Sequence, residues 1–263
     1  MGKRRRRTAV LCAIVVLGVG GTAGCGGGSE SDGDGNGNGD EAARASSALK
    51  TLKGYDTVHI DGSYPLMGRV QLQIDHEGNC VGTTEYSDQG KAEVVQLGSE
   101  RVWYRYDDTR LASWRRLAEQ ISPDAVALHD KAAKKARGKY IETAASDLKS
   151  DPLLKLCDLD KAFADLPDSV DEVKALNPVT QDGKRVVEMV EQPEGDGIAV
   201  YVPEKGEPLP HGVKFEIDDD PVRVTVSDPG KPVQATPPPA AETVKSAEVT
   251  GLFPEIPESM QSR

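Results

Sequence analysis

Four histidines, four cysteines and several acidic clusters are the groups in this 263-residue chain whose spacing decides what chemistry is open to it. His59, His76, His129 and His211 are scattered, and none belongs to a His-Glu-x-x-His motif. There is no Gly-x-Ser-x-Gly elbow and no Gly-rich phosphate loop. His76 stands between Asp75 and Glu77 in a turn-forming run that ends at Asn79. Such a trio holds a cation weakly at best and reads first as a solvated turn. Asp32, Asp34, Asn36 and Gly37 repeat the opening of a calcium loop, but Ala43 stands where the closing glutamate belongs. Asp218, Asp219 and Asp220 have no ligand spacing and read as solubilising acids. These residues predict a protein that is not an enzyme and carries no metal and no cofactor.

One cysteine does sit in a reactive context. Lys3 to Arg7 form a basic cluster, Thr8 to Gly24 are uncharged and mostly apolar, and Thr22-Ala23-Gly24 lead directly into Cys25. That order is a secretory signal with a cleavage site. With the cysteine immediately after the small residues it resembles a bacterial lipobox, although Thr22 stands where Leu is usual. The resemblance implies that Cys25 is acylated, the chain is cut before it, and the protein is held by lipid on the outer face of the cell membrane. A spanning helix needs about 20 apolar residues, and the apolar run here turns Gly-rich before that length. A plain secreted protein needs no cysteine at the cut. The arginine run leaves the general and the twin-arginine export routes both open. A lone acyl chain holds a protein only marginally, whereas two or more hold it stably.

Cys12 leaves with the signal, so Cys80 and Cys157 remain as an even pair in an oxidising compartment. They are expected to form a disulfide; the alternative is two buried thiols. No histidine accompanies them at zinc-ligand spacing.

Charge limits the partners. Removing residues 1–24 lowers the basic count from 32 to 27 against 43 acids, so the net charge goes from −11 to −16. That surface opposes nucleic acid and gains nothing from anionic headgroups. Attachment to the membrane then depends on the lipid alone. Residues 26–40, rich in Gly and Asp, read as a flexible tether with a reach of about 20 Å.

The rest of the chain must supply a scaffold. Ala45, Ala48, Leu49 and Leu52 recur at helical spacing, which predicts a helix over 41–53 capped by Asp40. Val58 and Ile60, then Val70, Leu72 and Ile74, alternate with polar residues, the pattern of half-buried antiparallel strands. Strands continue over 79–86, 91–97 and 100–106, where Val102, Tyr104 and Tyr106 share a face. Leu111, Trp114 and Leu117 mark a helix, Ser122-Pro123-Asp124 opens another, and a small helix starts at Asp158. Strands return over 173–179, 184–191, 197–202, 213–217 and 222–226. From Pro232 the composition shifts, and Pro237-Pro238-Pro239 leads into a loosely attached tail in which residues 249–253 are able to dock.

This order resembles the LolA-like half-barrel, and more narrowly the actinobacterial LppX/LprA/LprF/LprG lipoprotein family. The residues that carry the resemblance are the lipobox at Cys25, Gly98-Ser99-Glu100-Arg101-Val102-Trp103-Tyr104, Gly138-Lys139-Tyr140, Ala199-Val200-Tyr201-Val202, Pro208 to Phe215, the run Val224 to Val233, and Pro237-Pro238-Pro239-Ala240. It implies an α+β fold in which a strongly curved antiparallel sheet, a half-barrel, wraps around helices. It also implies a cavity between sheet and helices that takes an acyl-chain ligand, with Val70, Leu72, Ile74, Val102, Tyr104, Val200 and Phe215 as the lining. The expected organisation is a signal peptide at 1–24, a lipidated cysteine and tether at 25–40, the domain at 41–235 and a Pro-rich tail at 236–263. The expected role is to bind, carry or present a lipid or other apolar ligand. The rival is a cavity-less lipoprotein that senses or binds an envelope protein.

Overall fold

Alternating burial builds the first hairpins. In the computed structural model, which describes residues 37–65, 67–148, 151–191, 197–217 and 220–254, strand β1 (Thr57–Tyr64) buries Val58, Ile60 and Tyr64. Strand β2 (Gly68–Asp75) buries Val70, Leu72 and Ile74, and the register sets Ile60 opposite Leu72. The meander continues through β3 (Cys80–Glu85), β4 (Lys91–Leu97) and β5 (Arg101–Tyr106), each antiparallel to the one before. Period-two placement puts every second side chain on one face, so the apolar set of each strand meets the same core. The signal, most of the tether and Cys25 lie outside the described residues.

After β5 the chain leaves the sheet for helices α2 (Asp108–Ile121) and α3 (Pro123–Ala136). Asp107 caps α2 by accepting from the Arg110 N–H, and Ser122 caps α3 through the Ala125 N–H with Pro123 in the first turn. Strand β6 (Tyr140–Ala144) returns to pair with β5. Two short helices follow, α4 (Pro152–Leu156) and α5 (Leu159–Ala162). The second half comprises β7 (Val173–Ala175), β8 (Val179–Gln181), β9 (Lys184–Glu191), β10 (Ala199–Pro203), β11 (Gly212–Ile217) and β12 (Asp220–Ser227). Val173 to Val179 does not run as one strand. Asn177-Pro178 interrupts it, because proline has no N–H for a ladder.

β12 pairs with β1 and joins the two halves. With β13 (Thr243–Lys245), the described strands form one open, curved sheet in the order β13-β6-β5-β4-β3-β2-β1-β12-β11-β10-β9-β7, with β8 on β9. The fold is therefore the expected α+β arrangement of a curved sheet against helices. One pairing departs from the antiparallel rule: β13 lies parallel to β6.

Helix α1 (Gly37–Lys53) fills the inner face. It begins four residues before the expected start and takes in the end of the Gly/Asp-rich run. Ala45, Ala48, Leu49 and Leu52 are fully buried in a core with Val58, Ile60, Leu72, Val200 and Val202. Burying Leu49 and Leu52 contributes roughly 1.5–3 kcal/mol each. Cys80 and Cys157 are bonded inside this core, with Cα atoms 5.1 Å apart, and tie β3 to the end of α4.

The segment after Pro239 is docked. Val244, Val249 and Leu252 are buried with Leu111, Ala132, Ala133, Ala136 and Ile141 in a second, smaller core. The buried His129 imidazole bonds the Leu252 carbonyl through Nδ1 at 2.8 Å. Residues 243–254 are thus a structural part of the domain, which composition alone did not reveal.

Candidate functional site

The two cores meet at a cavity of about 480 Å³. Its walls come from the loop after β3 (Tyr86), from β5 (Tyr104, Tyr106), from α2 (Arg110, Trp114), from β6 (Ile141, Thr143) and from the turn before α4 (Asp147, Leu148, Asp151); Ser246 and Phe253 of the C-terminal segment complete the lining. Its size falls within the roughly 300–1,000 Å³ usual for small-molecule sites, which are mostly apolar with a few placed polar groups. The chain has 2 Trp, 7 Tyr and 3 Phe. Five of these rings line this one cavity.

Local structure explains the convergence. Tyr104 and Tyr106 are two residues apart on one strand, so their rings project to the same face and stack at 5.8 Å. Arg110 and Trp114 are one helical turn apart on α2. Trp114 meets Tyr106 edge-on at 4.6 Å. The latch formed by His129 and Leu252 delivers Phe253, which stands edge-on to Trp114 at 4.7 Å and to Tyr106 at 5.8 Å. These edge-to-face contacts are worth about 0.5–1.5 kcal/mol each beyond their area. Phe253 still keeps 48% of its surface exposed. Gly90, with φ 94°, is required here: a Cβ would sit 2.3 Å from the Arg110 nitrogen. The start of α2 is therefore pressed against the loop that carries Tyr86.

Polar groups occupy fixed places in this lining. The Tyr104 hydroxyl donates to Asp151 Oδ2 at 3.0 Å, while Asp151 Oδ1 accepts from the Leu153 N–H at the start of α4. Burial raises the Tyr104 phenol far above its ordinary value, and the Asp151 charge adds to this. Burial likewise raises Tyr86 and Tyr106. All three hydroxyls stay neutral. The Arg110 guanidinium lies over the Tyr86 ring at 3.8 Å and the Trp114 ring at 4.9 Å, within cation–π range.

Other clefts are less suited to a ligand. One of about 440 Å³ is lined by Lys91, Glu93, Arg105, Asp108 and Arg137, whose charges are already matched in the pairs Lys91–Glu85, Arg105–Glu93 and Arg137–Asp108. A smaller cavity of about 210 Å³ lies between the sheet and the short helices, bordered by Tyr64, Met67, Leu156, Leu166 and Phe215.

Of the side chains expected to line a cavity, Tyr104 borders the aromatic one and Phe215 the smaller one. Val70, Leu72, Ile74, Val102 and Val200 are packed in the main core with 0–1% exposure. The walls that sequence reasoning did not assemble are Tyr86, Arg110, Trp114 and Phe253. The available signals were the shared face of Tyr104 and Tyr106 and the Leu111–Trp114 spacing. His76 is not a free turn residue: Nδ1 lies 2.9 Å from Asp160 Oδ1 and Nε2 2.8 Å from the Tyr55 carbonyl.

No protein-family model and no curated protein sequence matches this chain. Solved structures are similar to it at low sequence identity. LprF from Mycobacterium bovis is 14% identical over 76% of this chain and 97% of its own, with a TM-score of 0.48. The Mycobacterium tuberculosis lipoprotein LppX is 12% identical over 75% and 98%, with a TM-score of 0.45. MucB of the Pseudomonas aeruginosa MucA/MucB complex is 12% identical over 71% and 55%, with a TM-score of 0.29. The likeness is to the LppX/LprF type of fold, and no residue role is carried over from it.

Proposed function

We propose that this domain binds, carries or presents a small apolar or amphipathic ligand, and that the aromatic cavity is where the ligand sits. The observation that carries this reading is the concentration of five rings around a space of about 480 Å³ in a domain whose main core is packed. Its mechanism is burial. Each 100 Å² of apolar ligand surface removed from water contributes about 2.5 kcal/mol, against which the loss of ligand freedom must be set. Anchoring belongs to the same proposal. Lys3 to Cys25 supports a lipid on Cys25 at the outer face of the cell membrane, and the tether supports a domain free to reach that membrane. Among the described residues no helix is long and apolar enough to cross a bilayer.

The test is organic extraction of the domain purified from an envelope-bearing bacterial host, followed by mass spectrometry. The expected result is a stoichiometric amphiphile, lost when Thr143→Phe fills the cavity. A domain that yields none, and instead cross-links to one envelope protein, speaks for the surface-interaction rival.

A further inference from the structure

Charge is unevenly spread in this acidic chain. Residues 108–139, which take in α2, α3 and the turn after them, hold eight Lys and Arg against four Asp and Glu, while the whole chain carries −11. Arg115 is paired with Asp130 and Arg137 with Asp108. Lys131, Lys134 and Lys135 are exposed on α3, and none of them is paired with a carboxylate among the described residues. Lys135 donates to the Glu248 carbonyl, which leaves its charge unmatched. Screening limits attraction between exposed charges to about 10 Å at ordinary salt, so a surface close to α3 meets this cluster rather than the net charge.

Apolar side chains stand beside these cations. α3 buries His129, Ala132, Ala133 and Ala136, so helical periodicity sends Leu128, Lys131 and Lys135 outward along one stripe. Asp124, one turn before Leu128, is the single acid on that stripe. Leu128 is 56% exposed. The C-terminal segment runs against it: a Cβ on Gly251 would meet the Leu128 Cβ at 3.0 Å, and the His129–Leu252 bond holds the next residues. Phe253 follows, half-exposed at the rim of the aromatic cavity with its ring against Trp114. Two of the five exposed large apolar side chains among the described residues thus emerge along the seam between α3 and this segment.

We propose that the face formed by Leu128, Lys131, Lys134, Lys135 and Phe253 docks on an anionic lipid surface and turns the rim of the cavity toward it. Exposed lysines beside apolar groups suit such a surface, since the ammonium groups meet the headgroups while Leu and Phe enter the acyl boundary. The choice of a bilayer over an acidic protein rests on the anchored-carrier reading. The tether after Cys25, with its reach of about 20 Å, keeps this face within range of the membrane. The remainder of the chain is acidic and is repelled by the same headgroups, which orients the domain with α3 inward.

The experiment is co-sedimentation of the chain from Gly26 onward, which keeps every described residue and has no Cys25 to acylate, with two kinds of vesicle. One is phosphatidylcholine alone; the other is about one-third phosphatidylglycerol. The expected result is a partition coefficient higher on the anionic vesicles by on the order of tenfold, declining as salt is added. Lys131→Glu with Lys134→Glu should remove that preference, and Leu128→Ser should weaken binding to the anionic vesicles several-fold. Equal partition on both vesicles, or a preference that survives the double lysine variant, overturns the proposal. Binding to neither vesicle by a chain that still takes up laurate overturns the docking face and leaves the cavity reading standing. Self-association that the same substitutions abolish assigns the face to a second copy and overturns the bilayer. The substituted side chains are exposed, and the wild-type contrast between vesicles decides the matter even if a variant does not fold.

Discussion

Replacing both Cys80 and Cys157 by alanine should lower stability by an amount that their position in the chain sets. The bond closes a loop with a sequence separation of 77. Constraining a loop of that length removes about 15 cal/mol/K from the unfolded chain, or about 4.5 kcal/mol at room temperature. That is a ceiling, because residual structure in the unfolded chain already restricts it. Both sulfurs lie in the main core with no exposed surface. The cavity walls from Tyr86 to Asp151 all fall inside the loop. The assay is urea unfolding of the double variant against the oxidised wild type at neutral pH, followed by circular dichroism. With a slope of about 2 kcal/mol/M the midpoint should fall by about 2 M. A fall of less than about 0.5 M would refute the claim that this bond holds the cavity-bearing half together.

Two further outcomes follow from other parts of the fold. Leu252→Ala should cost about 2–5 kcal/mol, as for other buried leucines. It should also free Phe253 and raise hydrogen exchange along β13; a loss under about 0.5 kcal/mol would mean the C-terminal segment is not a structural part of the domain. Burial, and then Lys184, hold the His211 imidazole below its ordinary value of 6.5, with Asp182 opposing in part. The unfolded chain therefore takes up this proton first as pH falls. Stability from this group is complete above about pH 6.5 and declines below it. His211→Gln should flatten the stability profile between pH 6.5 and the lower folded value; an unchanged slope would show that His211 is not the group responsible.

The scaffold was readable wherever one face is wet and the other dry. Val58 and Ile60, or Val222, Val224 and Val226, alternate because their strands have one buried side. The same logic placed α1, whose Ala45, Ala48, Leu49 and Leu52 meet the sheet. It was less informative at Val173 to Val179, where Pro178 splits the run into β7 and β8. It left the proline-led C-terminal stretch as a loosely attached tail in which only residues 249–253 were expected to be able to dock, whereas Val244 is buried as well. Val244, Val249 and Leu252 are spaced too irregularly to announce a strand or a helix, and their burial comes from packing against α2, α3 and β6.

The cavity was legible in one strand alone. Tyr104 and Tyr106 share a face by their spacing, but Tyr86, Trp114 and Phe253 come from a loop, a helix and the C-terminal segment. No local pattern relates those three, since tertiary packing brings them together. The aliphatic face expected as a lining is instead packed in the main core with side chains of α1, α4 and α5. From sequence, an apolar strand face reads the same whether a helix or a ligand covers it.

Trp114 supplies the most direct test of the central claim. The chain has 2 Trp, and Trp103 lies on the strand face opposite Tyr104, so Trp103→Phe leaves a single reporter in the cavity wall. Titrating that variant with laurate while recording tryptophan emission should give a saturable shift with one ligand per domain, and Thr143→Phe should abolish it. Ligand binding that leaves Trp114 emission unchanged, or that survives the filled cavity, would contradict the account.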